Sequence, residues 1–315
     1  MRSLPALRAL CAVSAEGSFS AAAASLAITQ SAVSQHVAAL ERQAGVELVV
    51  RGLRPVELTP AGQVLVAHGQ AIVARVAAAE RELDEVIGRG SRQLRLGSFP
   101  TALATFVPRA IARLRSQQPA VAVSITDDHM QGLLPRLHRR ELDLAVIFAS
   151  REFGSEQVAD DLVAVPLFTD RYRVLLPLSH RLAARDRDPA VRELKADTWV
   201  GGGSRSSWFV PVRDVCRSQG FEPRVSLTSD DYLAVQAFVA AGLGVAVVPG
   251  LAAARHVAGV RVRELRGAAP ARHVGVAHPD SPLVPPTTAA FVQAVRAVTT
   301  GRRRAARDAL AAAPR

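Results

Sequence analysis

Residues 19–44, FSAAAASLAITQSAVSQHVAALERQA, leave the N-terminal part of this chain few ways to fold. Phe19, Ala23 and Leu26 share one face of a predicted helix, and Ile28 closes the turn behind it. Thr29 stands where the next helix needs an N-cap, its hydroxyl placed to accept from the backbone N–H groups of the following turn. From there Val33, Val37, Leu40 and Ala44 recur at i, i+4, i+7 and i+11, one narrow apolar stripe at about 100° per residue. The opposite face carries Ser31, Gln35 and Arg42, flanked by Ser34 and Ala38, side chains too short and too sparsely charged for a solubilising surface. Spacing alone suits either an ordinary αα-hairpin or a helix-turn-helix whose second helix offers a small polar face to a partner.

The flanks narrow the choice. Gly45 is a natural stop for the second helix. Val46 to Leu58 then reads as a hairpin, with Arg51 and Arg54 at its turn, where a guanidinium either touches a phosphate backbone without reading sequence or meets solvent. Thr59-Pro60 opens a further helix with a capping hydroxyl and a proline in its first turn. Along it Leu65, Gly69, Ile72, Val76, Ala79, Leu83 and Val86 alternate steps of four and three, a heptad weakened at Gly69. A helix over 60–87 is roughly 42 Å long at 1.5 Å per residue. Beside a small domain it has little to bury that stripe against, so pairing with a second chain is the expected outcome and packing on its own C-terminal half the alternative. Gly88 to Ser91 reads as a hinge.

Upstream, Leu4, Leu7, Leu10 and Cys11 are spaced for a helix, and Arg8 interrupts what would otherwise look like a short export signal. The same stretch carries a resemblance. Gly17-Ser18-Phe19-Ser20, Ala22-Ala23, Gln30-Ser31-Ala32-Val33-Ser34, Leu40-Glu41 and Leu58-Thr59-Pro60-Ala61-Gly62 follow in order and spacing the signature of the DNA-binding domain of LysR-type transcriptional regulators, which this segment resembles. Two departures stand out. Ser31 sits where the family often has proline, and Val49-Val50 replaces the phenylalanine of the usual Leu-Phe-x-Arg run, although Arg51 is kept. The resemblance implies a winged helix-turn-helix in which Ser18, Ser20, Thr29, Gln30, Ser31, Ser34, Gln35, Arg42, Arg51 and Arg54 approach DNA. It also implies a linker helix whose Leu65, Ile72, Val76, Ala79, Leu83 and Val86 form the dimer contact.

Charge adds little to that argument. The net charge is +11, with Lys195 the only lysine, yet residues 1–58 hold five arginines against four glutamates. A DNA reading therefore rests on the motif rather than on local basicity. Two cysteines, Cys11 and Cys216, far apart in sequence, give no disulfide framework. The longest apolar run, residues 238–249, is too short to span a bilayer, so a cytoplasmic protein with no membrane partner is expected.

From Gln93 the periodicity changes. Short β-rich runs alternate with helical stretches: 94–97, a helix over 102–118, 121–126, a helix over 130–140, and 142–148. A second set follows, with strands at 173–176, 199–200, 225–228, 245–248, 260–265 and 273–277 and helices at 208–219, 231–241 and 286–298. This order describes two α/β halves, with the chain crossing near Val163 to Phe168 and back near Arg266 to Arg272. It resembles the effector-binding domain of the same regulators, similar to type 2 periplasmic binding proteins. The run from Asp230-Asp231-Tyr232 to Pro249 looks like that family's helix-turn-strand. The expected organisation is a winged helix-turn-helix over 1–59 and a linker helix and hinge over 60–90. An effector-binding domain follows over 91–300, its two lobes being 91–165 plus 267–300, and 166–266. The Ala/Arg-rich tail over 301–315 is expected to be disordered.

In open α/β sheets a ligand sits outside the carboxyl ends of the strands. Ser98 and Thr101 lie at the first such end, where two hydroxyls and free N–H groups suit a carboxylate. Phe148 would supply an apolar wall at another. In the second lobe Gly202 and Ser204 follow the 199–200 strand, where glycine lets backbone approach a ligand. Thr228 and Asp230 end a further strand, and Asp230 would either receive a cationic group or cap the next helix. An enzyme is the rival class. Gly202-Gly203-Ser204-Arg205-Ser206 lacks the second glycine of a nucleophile elbow, Lys195 has no P-loop around it, and the eight histidines show no metal-ligand spacing. A free solute-binding protein would need an export signal and would not begin with a helix-turn-helix. The reading is a DNA-binding transcriptional regulator, not an enzyme, with no cofactor or metal. It is expected as a homodimer, or assembled further into a homotetramer, on an interrupted inverted repeat of double-stranded DNA. A small-molecule effector would control it, and RNA polymerase is a further candidate partner.

Overall fold

The computed structural model describes residues 3–50, 52, 55–86, 93–150, 161–203, 206–281 and 284–311, with backbone alone at 78, 81–82, 84–86 and 302–311. Two compact units emerge, residues 1–92 with 134–143, and residues 93–133 with 144–315. Among the described residues no helix is long and apolar enough to cross a membrane.

The first unit begins with α1 (Leu4–Glu16), capped by the Ser3 hydroxyl and stopped at Gly17, whose φ of 66° suits the left-handed C-cap. Next comes α2 (Phe19–Ser25), capped by Ser18. Then α3 (Gln30–Ala44) starts where Thr29 Oγ1 accepts from Ala32 N at 3.2 Å and ends at Gly45. Val33, Val37 and Leu40 of α3 pack with Leu10 and Val13 of α1 and Ala22 and Ala23 of α2 in one apolar core. The turn between α2 and α3 runs through Ala27 at φ 53°, a left-handed conformation that costs an L-residue about 1–2 kcal/mol. Ala27→Gly is therefore expected to stabilise this unit by about 1 kcal/mol, read as a raised melting temperature. A lowered one would mean that the methyl group packs.

The expected hairpin is shorter than the sequence suggested: β1 (Val49–Val50) and β2 (Glu57–Leu58) pair antiparallel, and Val46 is exposed outside the ladder. Its tip residues Arg51 and Arg54 lie outside the described residues. Thr59 then ties the wing to α4 (Pro60–Val86), its Oγ1 donating to Glu47 O and accepting from Gly62 N. The heptad on α4 divides. Leu65 packs against the helix-turn-helix core, and Gly69 is where α1 crosses. A Cβ on Gly69 would lie 2.9 Å from Leu7 Cδ1 and 3.0 Å from Cys11 Sγ. Both positions therefore contribute to the unit's own packing. Farther along, Val76 is half-buried, while Ile72, Ala79 and Leu83 are exposed. The side chain of Val86 and the expected hinge at 88–91 lie outside the described residues.

From Gln93 onward the elements run β3 (Gln93–Ser98), α5 (Pro100–Leu103), α6 (Val107–Gln117), β4 (Ala122–Asp127), α7 (Met130–His138), β5 (Leu144–Ala149) and β6 (Leu162–Pro177). Then come β7 (Thr198–Gly201), α8 (Val210–Ser218), β8 (Arg224–Thr228), α9 (Tyr232–Ala240), β9 (Ala246–Pro249), α10 (Gly250–Ala253), β10 (Val260–Arg263), β11 (Ala271–Pro279) and α11 (Pro286–Ala311). In the first lobe β4, β3 and β5 are parallel, and β11 runs antiparallel between β5 and β6. In the second lobe the far half of β6 pairs antiparallel with β9 and β10, and β7 pairs parallel with β8. Each lobe has its own apolar core, one around Leu94, Phe106 and Phe291, the other around Trp199, Phe209 and Val247.

Three expectations are corrected. The predicted helix 102–118 is two helices, because Pro108 restarts the chain after the buried Phe106. The first crossing lies near Asp170–Tyr172 rather than Val163–Phe168, since Val163 to Phe168 still pair with β11 and Tyr172 with β9. In place of a disordered tail the backbone over 301–311 continues α11, and its alanines and arginines are strong helix formers.

Candidate functional site

Two surfaces carry the chemistry. On α3, burial of Val33, Val37 and Leu40 leaves Gln30, Ser31, Ser34, Gln35 and Arg42 exposed on the other side. Two of the predicted contact hydroxyls have local duties as well. Thr29 Oγ1 caps α3 and lies 3.0 Å from Ser31 Oγ, while Ser18 Oγ caps α2 and lies 3.4 Å from the exposed Ser20 Oγ. The caps fix the start of each helix and so the height at which α3 presents its polar side chains.

The second surface is a cavity of about 600 Å³ between the lobes of the effector unit. Its floor is a buried ion pair on the two crossing strands. Arg272 Nε donates to Asp170 Oδ2 at 3.0 Å, and Arg272 Nη2 donates to Thr101 Oγ1 at 2.8 Å. The guanidinium carbon lies 4.9 Å from the centroid of Phe99 and 4.8 Å from that of Phe148, two rings packed edge to face. Asp170 in turn accepts from Leu251 N, at the start of α10. The charge is thus paired, hydrogen-bonded and covered by aromatic faces, as a buried arginine requires.

The opposite wall comes from the second lobe. Trp208 Nε1 donates to Asp230 Oδ1 at 3.0 Å, and Ser206 Oγ donates to the same oxygen at 2.6 Å. Tyr172 Oη donates to the Trp208 carbonyl at 3.0 Å, and the Tyr232 ring lies 5.3 Å from the indole. Burial pushes the Tyr172 and Tyr232 hydroxyls above the ordinary phenol range, so both stay protonated. Gln236 also lines this wall, but its amide is spent on Ala252 O, Arg255 O and Val257 N.

Of the residues expected around the effector, Thr101, Phe148 and Asp230 line the cavity together. Ser98 does not: it is fully buried, and its hydroxyl turns to Phe99 O at 3.3 Å. Gly202 is small for a packing reason, since a Cβ there would meet Ser206 Oγ at 2.5 Å and Phe209 Cβ at 3.0 Å. Thr228 is exposed at the end of β8 and away from the lining; Ser204 lies outside the described residues. The expected cluster of free N–H groups is reduced. With only four residues, α5 has Pro100 in its first turn, and the Ala102 and Leu103 amides both bond to Phe99 O. Sequence reading missed Arg272, Trp208 and Tyr232. Asp170 and Arg272 are 102 residues apart, so no local spacing joins them.

A capped helix-turn-helix, a wing and a long helix in one unit, with a two-lobed α/β cavity in the other, define a DNA-binding transcriptional regulator with an effector-binding domain. Residues 4–63 match the family model "Bacterial regulatory helix-turn-helix protein, lysR family", and residues 88–300 match "LysR substrate binding domain". The chain belongs to the LysR family of transcriptional regulators, and is not an enzyme. It is 32% identical over 251 residues to a probable hydrogen peroxide-inducible genes activator of Mycobacterium avium, covering 77% of this chain and 76% of the relative. It is 28% identical over 220 residues to the transcriptional dual regulator GltC of Bacillus subtilis, covering 70% and 71%. Among solved structures, a full-length OxyR variant of Pseudomonas aeruginosa superposes with a TM-score of 0.71 at 25% identity, covering 94% of this chain and 98% of that one. Full-length CbnR complexed with its target DNA shares the fold, with a TM-score of 0.65 at 21% identity and coverage of 94% and 99% of the two chains.

Proposed function

We propose that the chain acts as a homodimer paired along the outer half of α4, and that each copy lays α3 in the major groove of one half of an interrupted inverted repeat. The observation that carries this reading is the division of α3 into a buried apolar stripe and an exposed face of Gln30, Ser31, Ser34, Gln35 and Arg42. Gln35 is suited to reading a base edge through its paired donor and acceptor. Gln35→Ala should weaken binding to the preferred site by about 1–3 kcal/mol while leaving nonspecific binding and its salt slope unchanged. Footprints at fixed salt check this, and an unaltered sequence preference would remove Gln35 from that role.

The cavity at Thr101, Phe148, Trp208, Asp230, Tyr232 and Arg272 is the effector site in this reading. Its occupancy shifts the population of lobe arrangements, and with it the response at the promoter. Thiol oxidation is a poor alternative signal for this chain, although several relatives are named for hydrogen peroxide. Cys216 is fully buried in α8, where burial pushes its thiol up to about 12, and burial raises Cys11 to about 11. Neither is a ready thiolate, and the two belong to different units.

A further inference from the structure

We propose that the cavity between the lobes is built for an amine, a cation carried on an apolar or aromatic body, received by Asp230 beside Trp208 and Tyr232. The inference rests on the reading of this cavity as the effector site and adds the chemistry of what enters it. The argument begins with the deepest charge. Arg272 is the interior cation, and Asp170 already balances it, with Nε and Nη2 both engaged and Phe99 and Phe148 covering the guanidinium. A carboxylate reaching the floor would meet a neutral pair rather than a free charge, and would have to be desolvated to get there. In the first lobe the Ala102, Leu103 and Ala104 amides of α5 are already bonded to Phe99 O and Pro100 O, which leaves of that short helix at most the Thr101 amide to meet a carboxylate.

The second lobe is different. Oδ1 of Asp230 takes both the Ser206 hydroxyl and the Trp208 indole N–H, while Oδ2 has no partner among the described residues. Asp231 stands next to it in the lining, one of its oxygens spent on capping α9 through Leu233 N. Asp230, Asp231 and Arg255 are all exposed at the cavity's edge, and the two carboxylates outnumber the one guanidinium there. An ammonium brings only donors, which is what the open oxygen of Asp230 accepts. The Trp208 and Tyr232 rings line the cavity beside that carboxylate, and an aromatic face attracts a cation within about 6 Å. Phe99, Phe148 and Leu251 then offer apolar surface to the rest of the molecule.

The test uses the full-length protein and matched probes that share one body and differ in charge: phenethylamine against phenylacetate, and butylamine against butyrate. Thermal shift and calorimetric titration should show the amines binding and raising the melting temperature, with the acids inert at the same concentration. Asp230→Asn keeps an oxygen for Ser206 and Trp208 and should weaken amine binding about tenfold or more, the worth of a charge-assisted hydrogen bond. The wild-type comparison stands even if that variant folds poorly. Acids binding as tightly as amines, no binding by either, or amine affinity unchanged in a folded Asp230→Asn protein would each overturn the proposal. Ala104→Phe, which places a ring in the cavity from its lining, separates the two levels of the reading. Acid binding abolished by Ala104→Phe would leave the cavity as the effector site and discard only the amine. Binding of any probe that survives it would discard the cavity.

Discussion

Asp170→Ala is expected to destabilise the effector unit by about 3–5 kcal/mol, the cost of leaving a buried charge without its partner. Arg272 is 2% exposed and Asp170 5%, so neither can turn to water when the other is removed. The loss would also free Leu251 N, undoing the tie between the crossing strands and α10. Replacing both members with apolar residues, Asp170→Leu with Arg272→Met, should cost clearly less than the single change, because no lone charge remains. Urea unfolding followed by tryptophan fluorescence reads this unit directly, since the chain's two tryptophans, Trp199 and Trp208, both lie in its second lobe. A loss below about 1 kcal/mol for Asp170→Ala would mean that the guanidinium is solvated from the cavity and the pair is not a sealed one.

The second large effect concerns assembly. Ile72→Glu with Leu83→Glu should leave each protomer folded, break the proposed pairing, and weaken DNA binding by about 10²–10⁴-fold through loss of the second contact. The basis is the division of α4: Leu65 and Gly69 are consumed by the unit's own core, whereas Ile72 is 42% and Leu83 59% exposed. Glutamate at exposed helical positions costs the isolated unit little, and two like charges facing their symmetry mates repel. Light scattering would report the mass and gel shifts at fixed salt the affinity. A dimer that survives the double change would place the pairing on another surface.

How much of this was legible in the sequence follows from the range of the forces involved. The helix-turn-helix was, because the cap at Thr29 and the stripe Val33–Val37–Leu40 are written within a few residues of one another. Its one obscure joint is Ala27, a left-handed turn made without glycine or asparagine to announce it. The effector site was legible in part. Looking at strand ends found Thr101, Phe148 and Asp230, but that rule does not say which way a side chain turns, and Ser98 turns to Phe99 O. Gly202 was read as room for a ligand when the room is taken by Ser206 and Phe209. Strand β6 escaped because Thr169-Asp170-Arg171 looks like a charged break between two apolar runs. The charge that makes Asp170 an acceptable strand residue sits on β11, far along the chain.

That strand bears on how the lobes can move. From Leu162 to Pro177, β6 is one extended segment, hydrogen-bonded to β11 in the first lobe and to β9 and β10 in the second. A loop joint swings freely and stores nothing. A strand laddered on both sides of the crossing resists bending and yields by twist, and it returns elastically when the load is removed. Opening and closing are then small rotations about a stiff axis, so the amides of Asp170 to Tyr172 should stay protected from hydrogen exchange in the free and occupied states alike. The change in protection should fall instead on the rims, where Leu233 and Arg255 stand exposed.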